Sequence, residues 1–483
     1  MQAVLTLGLA NSAPEDEAAH LYGGHRLLDH FSAGLPLNDD YDARLAGLPY
    51  LHPLLAAWID GAGGLTAARA LGLLCTLTAT WLLHSTVARL LEERAAFFAA
   101  ALLGLSAPVL CAGNLATPTA PALALLAASF HCSVRSADRE SASAAAPVLA
   151  FLAIALAYQS WLFALPLAAA EAALAARLLG PRRAVRRGAL FLVQTAVPTA
   201  GVLFLTALYD GNSVLRGIAG TLTRSGDESA AQIAARAVDC AGAVLLLALV
   251  GTVLYARGAD PGHGRSPAVR ALLGAALTGG PFLALLTALW RHSAESLETS
   301  SAFGLLLAAP AAGLLLARTS QRGARSAAAA VALLAATAAT AGWVSQQLFT
   351  RWPDTRPVMA YLQPQTGPAE TILTDTAAVP RYYLYPAPAH TAVISTAAVP
   401  PPPAPDGQPP TSADSCRQAI EDHRFTRIVL GGGSPDQDRR LAALLAPNGY
   451  RPTRTFPFRN TAYSTVPFAF PRATGTFTVW ERT

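Results

Sequence analysis

The sequence contains no lysine, few cysteines and little charge of either sign. Charged residues make up 13% of the 483 residues and hydrophobic residues 53%, which is more apolar surface than a water-soluble chain of this length can bury. The five cysteines form no disulfide framework and no zinc-binding spacing. The basic residues lie mostly in short loops rather than along one stripe, which argues against nucleic acid as a partner. The composition therefore indicates a protein whose surface faces lipid.

Ten apolar runs reach or approach the roughly 20 residues that a helix needs to cross a bilayer. The predicted spans are residues 65–88, 95–113, 119–134, 144–158, 161–178, 188–208, 235–256, 270–290, 302–317 and 326–346. The third to fifth runs are short, so re-entrant or strongly packed helices are alternatives to full spans there. The pattern predicts a polytopic α-helical membrane protein.

The N-terminal run 1–10 is apolar, but at about 1.5 Å per residue it reaches only halfway across a bilayer core. It also lacks the basic region that opens a signal peptide. We expect it to be the end of a first span that has been cut short. This interpretation gives about 11 spans, the first one truncated, with the N-terminus inside.

Arginine predicts the orientation. Fifteen arginines lie in the loops and span ends of one side and five in the loops of the other, and cytoplasmic loops carry the excess of basic residues. We therefore predict a multi-pass protein of the cell membrane in which the loop 12–64 and residues 351–483 are extracytoplasmic and residues 179–187 lie inside.

The composition changes near residue 351, where proline and polar residues become more frequent. The runs 371–375, 391–395, 427–432 and 476–482 are predicted strands, and 413–423 and 436–446 are predicted helices. The proline-rich stretch 399–410 is interpreted as a flexible insertion, and the turn 431–435 as a plain strand-to-helix turn capped by Ser434 or Asp436. Two domains follow: a transmembrane domain, 1–350, with a catalytic loop at 12–64, and a C-terminal extracytoplasmic α/β domain, 351–483.

Two acidic residues, Asp16 and Glu17, follow the first apolar run and so lie at the predicted outer surface of the membrane. They are either the solvated end of a helix or carboxylates placed at the lipid boundary to act as a general base. Further along, His52 and Pro53 stand just before a span, and Arg69 lies at its mouth.

This order of motifs resembles the GT-C superfamily of integral-membrane glycosyltransferases, in the branch of protein O-mannosyltransferases and lipid A aminoarabinose transferases. The matching features are the acidic pair, the segment YLHPLL at 50–55, AAR at 67–69 and the inside segment VARLLEERAAFFAAALLGLSAP at 87–108. The resemblance implies transfer of a sugar from a polyprenyl-phosphate donor to an acceptor hydroxyl outside the membrane, with inversion at the anomeric carbon. It also implies that Asp16 deprotonates the acceptor and that Glu17 supports it.

The sequence departs from the family pattern at two places. The family often has a second acid or a tyrosine where this chain has Thr119, and an Arg-Tyr pair where it has Phe303 and Gly304. The charge that develops on the departing phosphate must then be stabilised by another group. Arg291, with His292 beside it, is the nearest candidate, and an ordinary interfacial anchor is the alternative.

Further candidates lie in the first loop. His52 is predicted to contact substrate, as are Asp39 and Asp40, which stand with Tyr41 and Asp42 in a cluster that suits acceptor hydroxyls or a divalent cation. A solvated loop is the alternative for that cluster. Glu17 and His20 have the spacing to share a metal on a helix. No cofactor is predicted beyond this open question of a metal.

The predicted partners are a polyprenyl-phosphate-linked sugar, the bilayer and an acceptor that is a protein, a glycan or a lipid. The alternative function is that of a non-catalytic envelope protein or a transporter with a degenerate GT-C architecture. A transporter of charged solutes should carry ionisable residues at mid-span, where this chain has few, with Glu171 the deepest. The scarcity favours chemistry at the membrane surface.

Overall fold

The computed structural model describes residues 1–9, 11–37, 50–136, 144–209, 213–223, 226, 228–258, 266–294, 297–350, 352–367, 369–386, 392–396, 399, 412–431, 435–459 and 474–482. The chain divides into two compact units. The membrane unit consists of Met1–Leu7 and Leu27–Ser345, and the sheet unit consists of Gly8–Arg26 and Gln346–Thr483. The segment Gly8–Arg26, from the predicted catalytic loop, thus belongs to the same unit as the C-terminal region, while the predicted domain roles stay predictions.

The helices of the first 350 residues are α1 (Gln2–Leu7), α2 (Glu15–Ala33), α3 (Leu51–Leu90), α4 (Glu93–Gly104), α5 (Ala107–Asn114), α6 (Thr119–Ser136), α7 (Ala145–Leu156), α8 (Ala164–Tyr209), α9 (Ser213–Thr223), α10 (Ala230–Ala237), α11 (Ala243–Arg257), α12 (Pro267–Arg291), α13 (Leu297–Ser320) and α14 (Ala324–Thr350). A 3₁₀ turn, Tyr158–Phe163, precedes α8, and a π turn, Val238–Gly242, joins α10 to α11.

Every predicted span coincides with a helix. Seven helices in the described part of the chain are long and apolar enough to cross a membrane, or eight if the bent pair α4 and α5 forms one span. Of the other predicted runs, 119–134 falls on α6 and 144–158 falls on the short apolar helix α7. The fold is therefore the predicted helical membrane architecture, and the number of crossings stays a prediction.

One break differs from the predicted straight spans. The run 95–113 is bent by 60° between α4 and α5, where Pro108 in the first turn of α5 cannot donate to the preceding helix. Within α8 the helical conformation is interrupted at Gly180, with a φ of 73°, so the predicted spans 161–178 and 188–208 fall on two separate helical segments. Glycine adopts this left-handed conformation without steric cost.

The centre of the membrane unit is α13. It is buried over nearly its whole length and packs against α4, α11 and α12. Small residues allow this approach, since a Cβ added to Gly304 would lie 2.8 Å from Pro281 Cα.

A buried ion pair lies among the described residues of the membrane unit. Arg187 Nε donates to the Glu171 carboxylate at 2.6 Å, and both side chains are about 5% exposed. Arg187 also donates to the Ser136 carbonyl and hydroxyl. Glu171, the deepest ionisable residue predicted in a span, therefore serves in a structural pair.

After α14, the described residues of the sheet unit form five strands and four α-helices. They are α15 (Arg356–Leu362), β1 (Thr371–Thr374), α16 (Ala378–Tyr383), β2 (Ala392–Ser395), α17 (Ser412–Glu421), β3 (Arg427–Leu430), α18 (Pro435–Leu445), β4 (Tyr450–Arg459) and β5 (Thr474–Arg482). The strand order is β2-β1-β3-β5-β4, with β1, β2 and β3 parallel and β5 antiparallel to both β3 and β4.

Side chains alternate between the two faces of this sheet, as a strand requires. Leu373 and Ile428 pack into a core with α17 and α18, whereas Ile372 and Val429 pack into a core with α15. The four predicted strands and both predicted helices are confirmed. Ser434 and residues 400–410 lie outside the described residues.

Strand β4 is missing from the sequence prediction. It contains Pro452 and Pro457, which argue against a strand, and its pairing with β5 shifts register between Pro452 and Arg454. Both prolines are tolerated because β4 is the edge strand of the sheet.

Candidate functional site

The predicted catalytic pair lies in the first turn of α2. Pro14 precedes this helix, and Glu15, Asp16 and Glu17 open it, where the helix dipole stabilises negative charge. Asp16 is exposed, whereas Glu17 is fully buried at 0% exposure. Asp16 is thus accessible to solvent, while Glu17 is enclosed by its neighbours.

The chain that leads into α2 is held by the C-terminal part of the sheet unit. Ser12 Oγ donates to the Pro353 carbonyl at 3.0 Å and accepts from the Thr355 N–H at 3.2 Å. The Ala13 N–H donates to Tyr383 Oη at 2.8 Å. Since Ser12 and Ala13 are buried, these bonds are shielded from water.

Two aromatic contacts continue along α2. The His25 ring stacks on Tyr385 with centroids 5.0 Å apart, and the Arg381 guanidinium lies 6.0 Å from the centre of the Tyr22 ring. Arg381 is itself oriented by donating to the carbonyl of Val393 in the edge strand β2. In the sequence these residues stand in the aromatic run RYYLYP at 381–386, which was not among the predicted site residues.

Arg291 and His292 lie in the membrane unit, at the C-terminal end of α12. Arg291 is 8% exposed, and His292 ends the helix in the left-handed conformation with a φ of 50°. The Gly226 N–H donates to the Arg291 carbonyl at 2.9 Å. Glycine is required there, because a Cβ on Gly226 would lie 2.5 Å from the His292 carbonyl oxygen.

Further charged groups surround this helix end. The Glu228 N–H donates to the His292 carbonyl, and the Glu228 carboxylate accepts from the Ala294 N–H. Arg236 donates to Glu298 at 2.8 Å. The two glutamates are absent from the predicted site, although both stand close to predicted spans.

His52 has a buried position near the start of α3. It is 3% exposed, and its Nε2 lies 3.1 Å from the Ala116 carbonyl, which joins α3 to the segment after α5. Asp16 and Glu17 lie in the sheet unit, while His52, Arg291 and His292 lie in the membrane unit. The substrate-binding roles of these residues stay predictions.

The acidic cluster Asp39, Asp40, Tyr41 and Asp42 lies outside the described residues. Among the residues that the structure describes, no three or more His, Cys, Asp or Glu side chains are grouped as metal ligands would be. Glu17 and His20 therefore belong to no such group.

An apolar cavity of about 140 Å³ opens between α7, α8 and α9. Its lining includes Phe151, Trp161, Val202 and Ile218. Tyr158, at the start of the 3₁₀ turn, also lines it, and the buried Tyr158 hydroxyl has no hydrogen-bond partner among the described residues. A buried unpaired hydroxyl beside an apolar cavity suits a ligand that is mostly hydrocarbon and carries a polar group.

The comparisons with known proteins agree with this architecture. Residues 49–206 match the family model described as dolichyl-phosphate-mannose-protein mannosyltransferase. No curated protein sequence matches the chain at a significant level.

Three solved structures are similar in fold. Archaeal oligosaccharyltransferase AglB from Archaeoglobus fulgidus, in complex with an inhibitory peptide and a dolichol-phosphate, has a TM-score of 0.52 at 13% identity, over 96% of this chain and 72% of that chain. The apo form of the Archaeoglobus fulgidus oligosaccharyltransferase has a TM-score of 0.52 at 12% identity, over 89% and 67%. Apo ArnT from Cupriavidus metallidurans has a TM-score of 0.46 at 13% identity, over 99% and 95%.

Residues 49–206 are therefore similar to a mannosyltransferase family, and the chain is similar in fold to the archaeal oligosaccharyltransferase.

Proposed function

We propose that the protein transfers a sugar from a polyprenyl-phosphate donor to an acceptor hydroxyl on the outer face of the membrane, with inversion and with Asp16 as the general base. The observation that carries the proposal is the exposed Asp16 carboxylate beside the buried Glu17 at the start of α2. An exposed carboxylate can reach the proton of an incoming hydroxyl, and a buried neighbour can hold the local structure.

The reaction is a single displacement. The acceptor oxygen attacks the anomeric carbon as its proton passes to Asp16, and the bond from that carbon to the phosphate oxygen breaks, with its electron pair leaving on the phosphate. Attack opposite the leaving group inverts the anomeric carbon. Arg291 is the proposed cation that stabilises the negative charge on the departing phosphate.

The donor class is supported by two observations. The matched family model is that of enzymes using a dolichyl-phosphate-linked mannose, and the archaeal relative in fold was solved with a dolichol-phosphate. In this chain, the cavity lined by Tyr158 and Trp161 offers an apolar surface to part of a polyprenyl tail.

The outer face is proposed from the arginine asymmetry, which also makes the C-terminal domain extracytoplasmic. Cysteine scanning with an impermeant thiol reagent tests this orientation. A cysteine at Thr411 should react in intact cells and one at Arg183 should not, and the reverse pattern would overturn it.

The function is tested with purified protein in liposomes and a panel of radiolabelled polyprenyl-phosphate sugars. We expect label from one donor to move into a protein, glycan or lipid fraction, with the opposite anomeric configuration by NMR. Retained configuration would exclude the single displacement. Absence of transfer from every donor and to every acceptor fraction would contradict the proposed function.

A further inference from the structure

We propose that Tyr383 and Ser12 are positioning residues for the Asp16 carboxylate, so that the C-terminal sheet sets the geometry of the catalytic base. This inference rests on the proposed function. Both residues act on the chain just before α2: Ser12 through its bonds to Pro353 and Thr355, and Tyr383 through its bond to the Ala13 N–H.

The connection from Ala13 to Asp16 is short and stiff. Only Pro14 and Glu15 lie between them, and proline fixes its own φ and restricts the residue before it. The Ala18 N–H then donates to the Pro14 carbonyl at 2.8 Å, which ties this segment to the first turn of α2. A displacement of Ala13 is therefore passed on to the backbone of Asp16.

The exposure of Asp16 makes its backbone position important. The exposed Asp16 carboxylate is carried by the first turn of α2, so a shift of that turn moves the carboxylate with it. A general base must lie within hydrogen-bond reach of the proton that it removes, and a misplacement of about 1 Å can cost up to a hundredfold in rate. Loss of the hydrogen bonds at Ser12 and Ala13 should therefore lower turnover as well as stability.

The neighbouring tyrosine provides a matched control. Tyr382 and Tyr383 are adjacent on α16 and their rings make an edge contact with centroids 4.9 Å apart. Only Tyr383 accepts the bond from the Ala13 N–H among the bonds described. Tyr383→Phe keeps the ring and removes that acceptor, while Tyr382→Phe removes a hydroxyl of the same kind one residue away.

The test measures kcat and donor KM for both variants in the full-length protein. We expect Tyr383→Phe to lower kcat about tenfold, with donor KM within about twofold, and Tyr382→Phe to stay within about twofold of wild type. Ser12→Ala should lower kcat in the same way, and it serves as the test if Tyr383→Phe reduces the yield of folded protein.

A double variant separates positioning from general loss of structure. If Tyr383 acts through Asp16, adding Tyr383→Phe to Asp16→Asn should cause no further loss of residual turnover. A kcat of Tyr383→Phe and Ser12→Ala equal to that of Tyr382→Phe would overturn the inference, as would a tenfold loss that persists in the Asp16→Asn background. Wild-type turnover in Asp16→Asn alone would instead refute the proposed base.

Discussion

The two units hold their ion pairs in different surroundings. In the membrane unit, Glu171 and Arg187 are both about 5% exposed and lie 2.6 Å apart, so their contact is shielded from water. In the sheet unit, Arg427 lies between Glu370 at 2.7 Å and Glu481 at 3.1 Å, with all three side chains between 17% and 29% exposed. Loss of one partner therefore has different consequences in the two units, since water can replace the lost partner only where it has access.

The units also contribute differently to the proposed reaction. The membrane unit supplies an apolar cavity and the buried Arg291, which suit a lipid-linked donor. The sheet unit supplies the exposed Asp16 and the hydrogen bonds to Ser12 and Ala13. We therefore expect variants of the membrane unit to affect folding and donor affinity, and variants near α2 to affect turnover.

The largest effect on stability is expected from breaking the buried pair. Glu171→Leu removes a carboxylate that Arg187 contacts in the protein interior and should cost about 3–5 kcal/mol, seen as a lower melting temperature in detergent. Glu370→Gln in the sheet unit should cost only about 1 kcal/mol. The double variant Glu171→Leu with Arg187→Met should recover much of the loss. Equal shifts in melting temperature for Glu171→Leu and Glu370→Gln would show that burial does not make the first pair more important.

A smaller effect is expected for donor binding at the end of α12. Arg291→Gln removes a charged hydrogen-bond donor to the donor phosphate and should raise donor KM roughly tenfold to a hundredfold, since such a bond is worth about 1.5–3 kcal/mol. Arg236→Gln is the control, because it removes the same charge from an arginine that is paired with Glu298. A similar donor KM for both variants would make Arg291 an interfacial anchor.

The smallest effect concerns pH and the sheet unit. Burial raises the pKa of Asp438, and its hydrogen bonds with Asp375 and the Gly431 backbone offset this only in part. The folded chain thus keeps this proton to higher pH than the unfolded chain, whose aspartate has a pKa of about 3.9. The contribution of Asp438 to stability is therefore greatest below that value and declines as pH rises through the folded pKa.

Asp438→Asn should remove this dependence and raise stability near neutral pH by up to about 1 kcal/mol. The measurement is the melting temperature of the full chain between about pH 4 and 8. Asp436→Asn is the control, because Asp436 is exposed and paired with Arg439 on the same helix. An identical pH dependence in wild type and Asp438→Asn would show that another group is responsible.

The sequence was sufficient for the helical membrane architecture, because span-length apolar runs need few long-range contacts to be recognised. It missed α9 and α10, which at 11 and 8 residues are too short to be recognised as spans. It also missed β4, because Pro452 and Pro457 are acceptable only at a sheet edge that local sequence does not show.

The candidate site was predictable only in part. The order of motifs pointed to Asp16 and Glu17. It did not show that one is exposed and the other buried, since burial depends on the packed structure. The bond between Ala13 and Tyr383 joins residues 370 positions apart. Such a contact leaves no periodic or local signal in a single sequence.

The most direct test of the central claim compares Asp16→Asn with Glu15→Gln in the sugar-transfer assay, at equal amounts of folded protein. Both changes remove one negative charge from the first turn of α2, but only the first removes the proposed base. We expect turnover to fall about a hundredfold to ten-thousandfold in Asp16→Asn and to stay near wild type in Glu15→Gln. Equal turnover in the two variants would contradict the assignment of Asp16 as the catalytic base.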